Sequence, residues 1–201
     1  MASQLPLSDG PLTVLAFDSA ALRCGWAAVS RRDDTFVLGG SGIHGLPRGE
    51  EESYESYKLR LIRYWMDVLP LMLTSWEPGL IAMEKLPAVG SGNFALAGQA
   101  ELGKAVMTTI TVLALQAGIP VAEIPASSVK KAVVGFASKP PKTSGGKRVK
   151  VSKVDMRNAV TEVFPSFAHR KWGDDLLADE TDAVGIGLAA VGFSKKEWGR
   201  G

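Results

Sequence analysis

Residues 12–30, LTVLAFDSAALRCGWAAVS, decide the fold class of this chain. Its first six residues are an apolar run that stops at Asp18, which is typical of a buried strand with an acid at its carboxyl end. Residues 25–30 and 35–40 repeat the strand pattern after short turns, so the three strands are predicted to form a meander. A doubly wound nucleotide-binding sheet would not open with a strand–strand hairpin, and the GxGxxG turn that marks it is missing after the first strand.

Helix and strand patterns alternate after the meander. In residues 50–76, for example, apolar side chains recur at helical spacing until Pro78 and Gly79 end the helix. Three leading strands followed by alternating strands and helices predict an α/β domain built on a mixed five-stranded sheet flanked by helices. The predicted elements beyond the meander are helix 50–76, strand 80–83, helix 93–117, strand 121–124, helix 126–134, helix 151–164 and helix 179–193.

Composition limits both the architecture and the chemistry. The 201 residues suit one domain, with residues 1–11 predicted as a flexible lead-in and residues 138–152 as a basic loop. No apolar run reaches the roughly 20 residues of a membrane span, and neither a membrane partner nor a small-molecule cofactor is expected. The single cysteine, Cys24, excludes an intramolecular disulfide and a zinc cluster and favours a cytoplasmic location. With only two histidines, carboxylates are the expected ligands of any catalytic ion.

Four acids stand where a metal-dependent hydrolase needs them. Asp18 and Glu84 each follow an apolar run directly, in VLAFD and LIAME, and so lie at the carboxyl ends of predicted strands. Asp179 and Asp182 are three residues apart on a predicted helix, which puts both side chains on one helical face. The small apolar residues that follow, AVGIGLA, allow this helix to press close against a sheet. Such a set suits two Mg²⁺ or Mn²⁺ ions roughly 4 Å apart, which can drive phosphodiester hydrolysis.

Each acid also has a purely structural interpretation. Asp179 could cap the last helix, where Asp182 would then complement the helix dipole. Glu84 could be an exposed strand end, and Asp18 a turn residue that accepts backbone hydrogen bonds. The chemical interpretation rests on the four acids together, each at the place that the architecture requires.

The chain resembles the RuvC family of Holliday junction resolvases, which have a ribonuclease-H-like fold, over residues 12–193. The family opens with an aspartate after a hydrophobic strand and a glycine seven residues later, as Asp18 and Gly25 do in FDSAALRCGW. LIAMEKL resembles its second acidic motif, SSVKKAVVGFASK its lysine-containing helix and turn, and DETDAVGIGLA its DxxDALA-like close. Ser19 and Ala20 replace the usual proline and glycine, which alters a turn rather than a ligand.

The resemblance implies a structure-selective endonuclease that cuts four-way DNA junctions by paired, metal-dependent hydrolysis in recombination and repair. It implies that Asp18, Glu84, Asp179 and Asp182 are catalytic and hold two Mg²⁺ ions, or Mn²⁺ ions, in each active site. It also implies a homodimer whose two sites act on opposed strands. The helix predicted at residues 93–117 has apolar positions on more than one face, so it could form the dimer interface or be buried within the monomer.

A cluster of bases before the last helix predicts a DNA-binding surface. No acid falls within residues 130–153, so phosphate contacts there would give salt-dependent, largely sequence-independent affinity; a solvated basic loop is the alternative. The resemblance implies that Lys130 and Lys153 lie near the scissile phosphate. It also suggests that Phe94 stacks on a base, although packing in the core at a helix start is the competing interpretation. The predicted DNA contacts are Lys130, Lys131, Lys147, Arg148, Lys150, Lys153 and Phe94.

Other function classes stay open at this stage. A broader nuclease could cut many branched DNAs or act on RNA–DNA hybrids, and the long basic stretch at residues 138–151 is compatible with different branched substrates. A non-catalytic junction-binding protein would be marked by the loss of an acid, and none is missing. An ATPase of the wider fold would need glycine-rich phosphate loops in two subdomains, for which 201 residues leave no room.

Overall fold

The computed structural model describes residues 12–19, 23–86, 94–139, 149–169 and 174–198. The strands are β1 (Leu12–Ser19), β2 (Arg23–Arg32), β3 (Thr35–Gly45), β4 (Leu80–Glu84), β5 (Val121–Ile124), β6 (Ser138–Lys139) and β7 (Val149–Lys150). The helices are α1 (Tyr54–Trp76), α2 (Phe94–Gln116), α3 (Ala126–Val134), α4 (Lys153–Val163) and α5 (Asp174–Ala190), with a short 3₁₀ turn at Pro165–His169.

The main sheet has the strand order β3-β2-β1-β4-β5. The first three strands pair antiparallel as the predicted meander, and β1 pairs parallel with β4, which pairs parallel with β5. The predicted mixed five-stranded sheet is therefore confirmed. β1 lies at its centre, so the carboxyl end of β1 is flanked by a strand on either side.

The two faces of the sheet carry separate apolar cores. Side chains alternate between faces along a strand, and in β1 Val14 and Ala16 join one core while Leu15 and Phe17 join the other. The first core includes buried residues of α3, α4 and α5, and the second includes buried residues of α1 and α2. The helices therefore cover the sheet from both sides, as predicted.

Close packing of α5 on the sheet depends on its small residues. A Cβ atom added at Gly187 would lie 2.6 Å from Val29 Cγ2 and 3.4 Å from the Cβ of Ala16. Only hydrogen fits at that position, so glycine lets the helix backbone approach β1 and β2 directly. The prediction that AVGIGLA would allow a close approach to a sheet agrees with this contact.

Several predicted boundaries need correction. The last helix begins at Asp174 rather than at Asp179, so Asp179 lies well inside α5 and its interpretation as an N-cap is wrong. The predicted basic loop 138–152 contains β6 and β7 at its ends, and these pair antiparallel. Residues 140–148 and the predicted lead-in 1–11 lie outside the described residues. None of the described helices combines the length and apolar character needed to cross a lipid bilayer.

Candidate active site

Asp18 and Glu84 are neighbours at the carboxyl edge of the sheet. Phe17 of β1 lies opposite Met83 of β4 in the parallel ladder. Asp18 and Glu84 are the next residues of the two strands, so they lie side by side. Ala16 and Ala82 both belong to the core on the α5 side. Because side chains alternate along a strand, Asp18 and Glu84 also face α5.

The remaining two acids come from α5, which is seated on Gly25. Gly25 is the ladder partner of Asp18 in β2, and a Cβ atom added there would lie 2.0 Å from the carbonyl oxygen of Asp179. The bare glycine backbone is therefore what allows this turn of α5 to approach Asp18. Asp182 lies three residues further along the same helical face, and α5 then continues over β1 and β2 to Gly187.

Burial and mutual electrostatic influence shift the pKa values of the acids. Burial, followed by the charges of Asp182, Glu84 and Asp179, raises the pKa of Asp18 to about 8. Burial and the charge of Glu84 raise the pKa of Asp182 to about 6, and burial raises the pKa of Glu84. Bringing so many ionised acids together is unfavourable unless positive charge is supplied, so the arrangement calls for cations.

Two lysines supply part of that positive charge. The ammonium group of Lys153 lowers the pKa of both Asp18 and Asp182, and that of Lys130 lowers the pKa of both Glu84 and Asp182. Ser152 begins α4 with a reciprocal capping box to Asp155, which fixes Lys153 as the first helical residue. The structure thus brings both lysines near the acids, and their place beside a scissile phosphate stays a prediction.

A third cation, Arg23, is a site residue that sequence reasoning missed. Its Nε atom lies 3.6 Å from Asp179 Oδ2. Arg23 opens β2 two residues before Gly25, on the same face of the sheet, since Cys24 between them is buried in the opposite core. Its distance in sequence from Asp179 gave no indication of the contact.

Glu180 was also missed, although it lies between two predicted ligands. Its side chain is fully buried, and Ser41 of β3 donates a hydrogen bond of 2.7 Å from Oγ to Glu180 Oε1. Ser41 lies opposite Ala27 in the β2–β3 ladder, and Ala27 faces the core on the α5 side. This bond therefore ties α5 across β2 to β3 and helps to fix the register of Asp179 and Asp182.

The donor set suits a hard divalent cation. All four acids offer oxygen, and the pKa values of Asp18 and Asp182 are raised by burial and then by neighbouring negative charge, which Mg²⁺ or Mn²⁺ would relieve. Among the described residues, however, no three possible ligands are gathered closely enough around one point to hold an ion. The carboxylates repel one another, so the ion itself would have to draw them the remaining distance together.

The predicted DNA contacts fall into two groups. Lys130 and Lys131 lie in α3, with Lys131 exposed, while Lys150 and Lys153 are exposed at the end of β7 and the start of α4. The structure therefore sets described bases of the cluster beside the acids and towards solvent. Lys147 and Arg148 lie outside the described residues, and Phe94 is the first residue of α2 with a side chain that is likewise not described.

Comparison with solved structures bears on the fold. Thermus thermophilus RuvC superposes with a TM-score of 0.59 at 16% sequence identity, covering 89% of this chain and 92% of that chain. The same protein in complex with a Holliday junction substrate gives a TM-score of 0.62 at 16% identity and the same coverage. The yeast mitochondrial Holliday junction resolvase Ydc2 gives 0.62 at 11% identity, covering 90% of this chain and 78% of that chain.

This chain has the RuvC fold. At these identities the likeness establishes the ribonuclease-H-like architecture that the sequence predicted, and the arrangement of the acids has to support the function separately. No protein-family model and no curated protein matches the sequence.

The raised pKa of Asp18 predicts an unusual dependence of stability on pH. The ordinary pKa of 3.8 describes the unfolded chain, so between pH 3.8 and about 8 the folded chain retains a proton that the unfolded chain has released. Binding more protons in the folded state means that the free energy of unfolding falls as pH rises, by at most about 1.4 kcal/mol per pH unit. We expect wild type to lose stability relative to Asp18→Asn across this window, measured by urea unfolding in metal-free buffer.

The comparison with Asp18→Asn isolates this contribution. Burial lowers the pKa of His44, which gives the opposite pH dependence below its usual pKa and is shared by both proteins. Mg²⁺ should restore more stability to wild type near pH 8 than near pH 6, because it replaces the proton on the acids. A difference between the two proteins that does not change with pH would contradict the prediction.

Proposed function

We propose that this chain is a metal-dependent endonuclease that resolves four-way DNA junctions. The observation that carries the proposal is the placement of Asp18 and Glu84 at neighbouring strand ends that face α5, where the pKa of Asp18 responds to burial and to the charges of Asp182, Glu84 and Asp179. The likeness in fold to resolvases, one of them in complex with a Holliday junction, supports the choice of substrate.

The four carboxylates are the groups that would hold one or two Mg²⁺ or Mn²⁺ ions. Bound there, divalent ions supply Lewis-acid activation of the attacking water and neutralise charge at the scissile phosphate. Asp18 and Glu84 are held by paired strands, and Asp179 and Asp182 by a helix whose backbone rests on Gly25. This mounting fixes the backbone positions of the acids, so mainly their side chains would have to move when an ion draws the carboxylates together.

The bases around the acids would bind and orient the DNA backbone. Four carboxylates alone repel a phosphodiester, so the cations beside them lower the cost of bringing the scissile phosphate to the site. Lys153 affects both Asp18 and Asp182 electrostatically, and it is placed to stabilise negative charge that develops on the phosphate. Lys131 and Lys150, which are exposed, would extend the contact along the strand.

A homodimer would supply the second active site that paired cuts require. Helices α1 and α2 both expose large apolar side chains, including Leu59 and Met66 of α1 and Val112 and Leu115 of α2. Exposed apolar area of this kind favours a protein–protein contact, and α2 is the helix in which the sequence already indicated more than one apolar face. The proposed interface therefore lies on the side of the sheet that is opposite to α5.

The test is cleavage of a synthetic four-way junction with each strand labelled in turn. A linear duplex and a splayed fork of matched sequence serve as controls, each with Mg²⁺, with Mn²⁺ and with chelator. We expect metal-dependent nicks at symmetry-related positions in opposed strands of the junction. Equal cutting of all branched substrates would leave a broader nuclease, and tight junction binding without any cutting would leave a binding protein.

A further inference from the structure

Arg23 contacts Asp179 from the solvent side. Its guanidinium lies 3.6 Å from Asp179 Oδ2, with the arginine side chain 44% exposed and the aspartate side chain 14% exposed. One partner of the pair therefore reaches into solvent while the other is held inside. An approaching DNA backbone would meet Arg23 on its way to the carboxylates.

The ion pair between Arg23 and Asp179 can separate easily. The contact holds the arginine side chain only weakly, because Nε lies beyond hydrogen-bonding distance of Asp179 Oδ2 and because water and salt screen the half-exposed guanidinium. An arginine that stays paired with Asp179 also cancels part of the charge that would attract a divalent ion. A divalent ion that bound Asp179 would therefore compete with Arg23 for this carboxylate.

Separation would leave a strong phosphate ligand at the edge of the site. A guanidinium stays charged at any physiological pH, so its exchange between partners involves no proton. Its planar fork matches two phosphate oxygens better than an ammonium group does. Arg23 is anchored at the start of β2, where it pairs with Gly45 of β3, so the freed side chain remains beside the acids.

We propose that Arg23 is an exchangeable counterion of the metal site. It pairs with Asp179 before the divalent ion binds, and it transfers to a DNA phosphate when the ion takes Asp179. The inference rests on the proposed nuclease function and deepens it, because it makes metal binding and DNA binding mutually supportive: each ligand takes one half of the pair and leaves the other half available.

The test compares Arg23→Gln with Arg32→Gln. Arg32 is exposed at the other end of the same strand, so its replacement removes the same charge far from the acids. The first readout is Mn²⁺ affinity without DNA, measured by titration calorimetry. Arg23→Gln should bind Mn²⁺ about threefold more tightly, since a weak competitor for Asp179 has been removed, and Arg32→Gln should match wild type.

The second readout is affinity for a phosphorothioate-protected four-way junction, measured with Mn²⁺ over a range of salt concentrations. Arg23→Gln should bind the junction more weakly and lose about one unit of the slope of log affinity against log salt. Arg23→Lys should retain that slope but bind less tightly than wild type, because an ammonium group cannot make the forked contact. Opposite changes in metal and DNA affinity are what a merely structural arginine would not produce.

Two results would overturn the inference. One is Arg23→Gln with unchanged Mn²⁺ affinity; the other is a salt slope equal to that of wild type. Weaker Mn²⁺ binding by a variant that melts at the wild-type temperature would also exclude competition and indicate that Arg23 supports the site structurally. If wild type bound no junction, the proposed function would fail instead, and the Mn²⁺ comparison would still decide the competition for Asp179.

Discussion

Asp18→Asn is expected to reduce metal-dependent cleavage of a four-way junction by about 1,000-fold or more. Asp18 is central among the four acids, since the pKa of its carboxyl responds to the charges of Asp182, Glu84 and Asp179 together. Removing its charge weakens the binding of a divalent ion at the reacting phosphate. The roughly 1,000-fold reduction in rate corresponds to a loss of about 4 kcal/mol in transition-state stabilisation. Single-turnover cleavage with saturating enzyme measures the effect apart from DNA affinity.

The same substitution should make the metal-free protein more stable. The raised pKa of Asp18 means that the folded chain is penalised for ionising it, and asparagine removes the penalty at neutral pH. Asp67→Asn, at an exposed position of α1, is the matched control and should change neither property. A variant that is both inactive and destabilised would point to a structural role for Asp18 and would contradict the assignment.

Gly25→Ala is expected to damage folding and catalysis together. The added Cβ atom would lie 2.0 Å from the carbonyl oxygen of Asp179 and 2.5 Å from its carbonyl carbon, so one backbone segment must move. Overpacking against backbone typically costs about 1–3 kcal/mol of unfolding free energy, and we expect the upper end because no flexible side chain can yield. A shift of α5 by roughly 1 Å would misplace Asp179 and Asp182 and reduce cleavage by about 100-fold.

Gly98→Ala provides the control for this prediction. A Cβ atom at Gly98 in α2 would make only an ordinary contact of 3.7 Å with Tyr54, and alanine favours a helix more than glycine does. That variant should keep its activity and melt at the wild-type temperature or above it. Wild-type unfolding and cleavage by Gly25→Ala would show that α5 is not seated on β2 as described.

The central part of the fold was predictable because its pattern is local. Apolar runs that stop at an acid mark the ends of β1 and β4, and the alternation of side chains along a strand fixes which face those acids share. The spacing of Asp18 and Gly25 is explained by the antiparallel ladder, in which the two residues are direct partners. Short-range regularity therefore predicted the sheet and the positions of the two acids that lie on its strands.

The start of α5 was not predictable in the same way. Acids are favoured in the first turn of a helix, so the run DETD resembles a helix start, whereas the helix begins at Asp174 and the acids lie further inside it. They are retained there because tertiary contacts, including Gly25 beneath Asp179, override the local preference. A local pattern carries no information on which turn of a helix will touch a sheet.

Residues that act through distant partners were missed for a related reason. A fully buried glutamate is rare, and the partner of Glu180, Ser41, stands 139 positions away in sequence. Arg23 is also far from Asp179 in sequence, and no motif marks it. Both contacts exist only once α5 has been laid across β2, so they follow from the fold rather than from any motif.

Diffraction from crystals soaked in Mn²⁺ would reveal whether Asp18, Glu84, Asp179 and Asp182 jointly hold the catalytic metal. We expect anomalous density between β1, β4 and α5, with oxygen atoms of Asp18 and of at least two of the other three acids within about 2.5 Å of an ion. Mn²⁺-dependent junction cleavage in solution, combined with Mn²⁺ bound elsewhere and none between these carboxylates, would contradict it.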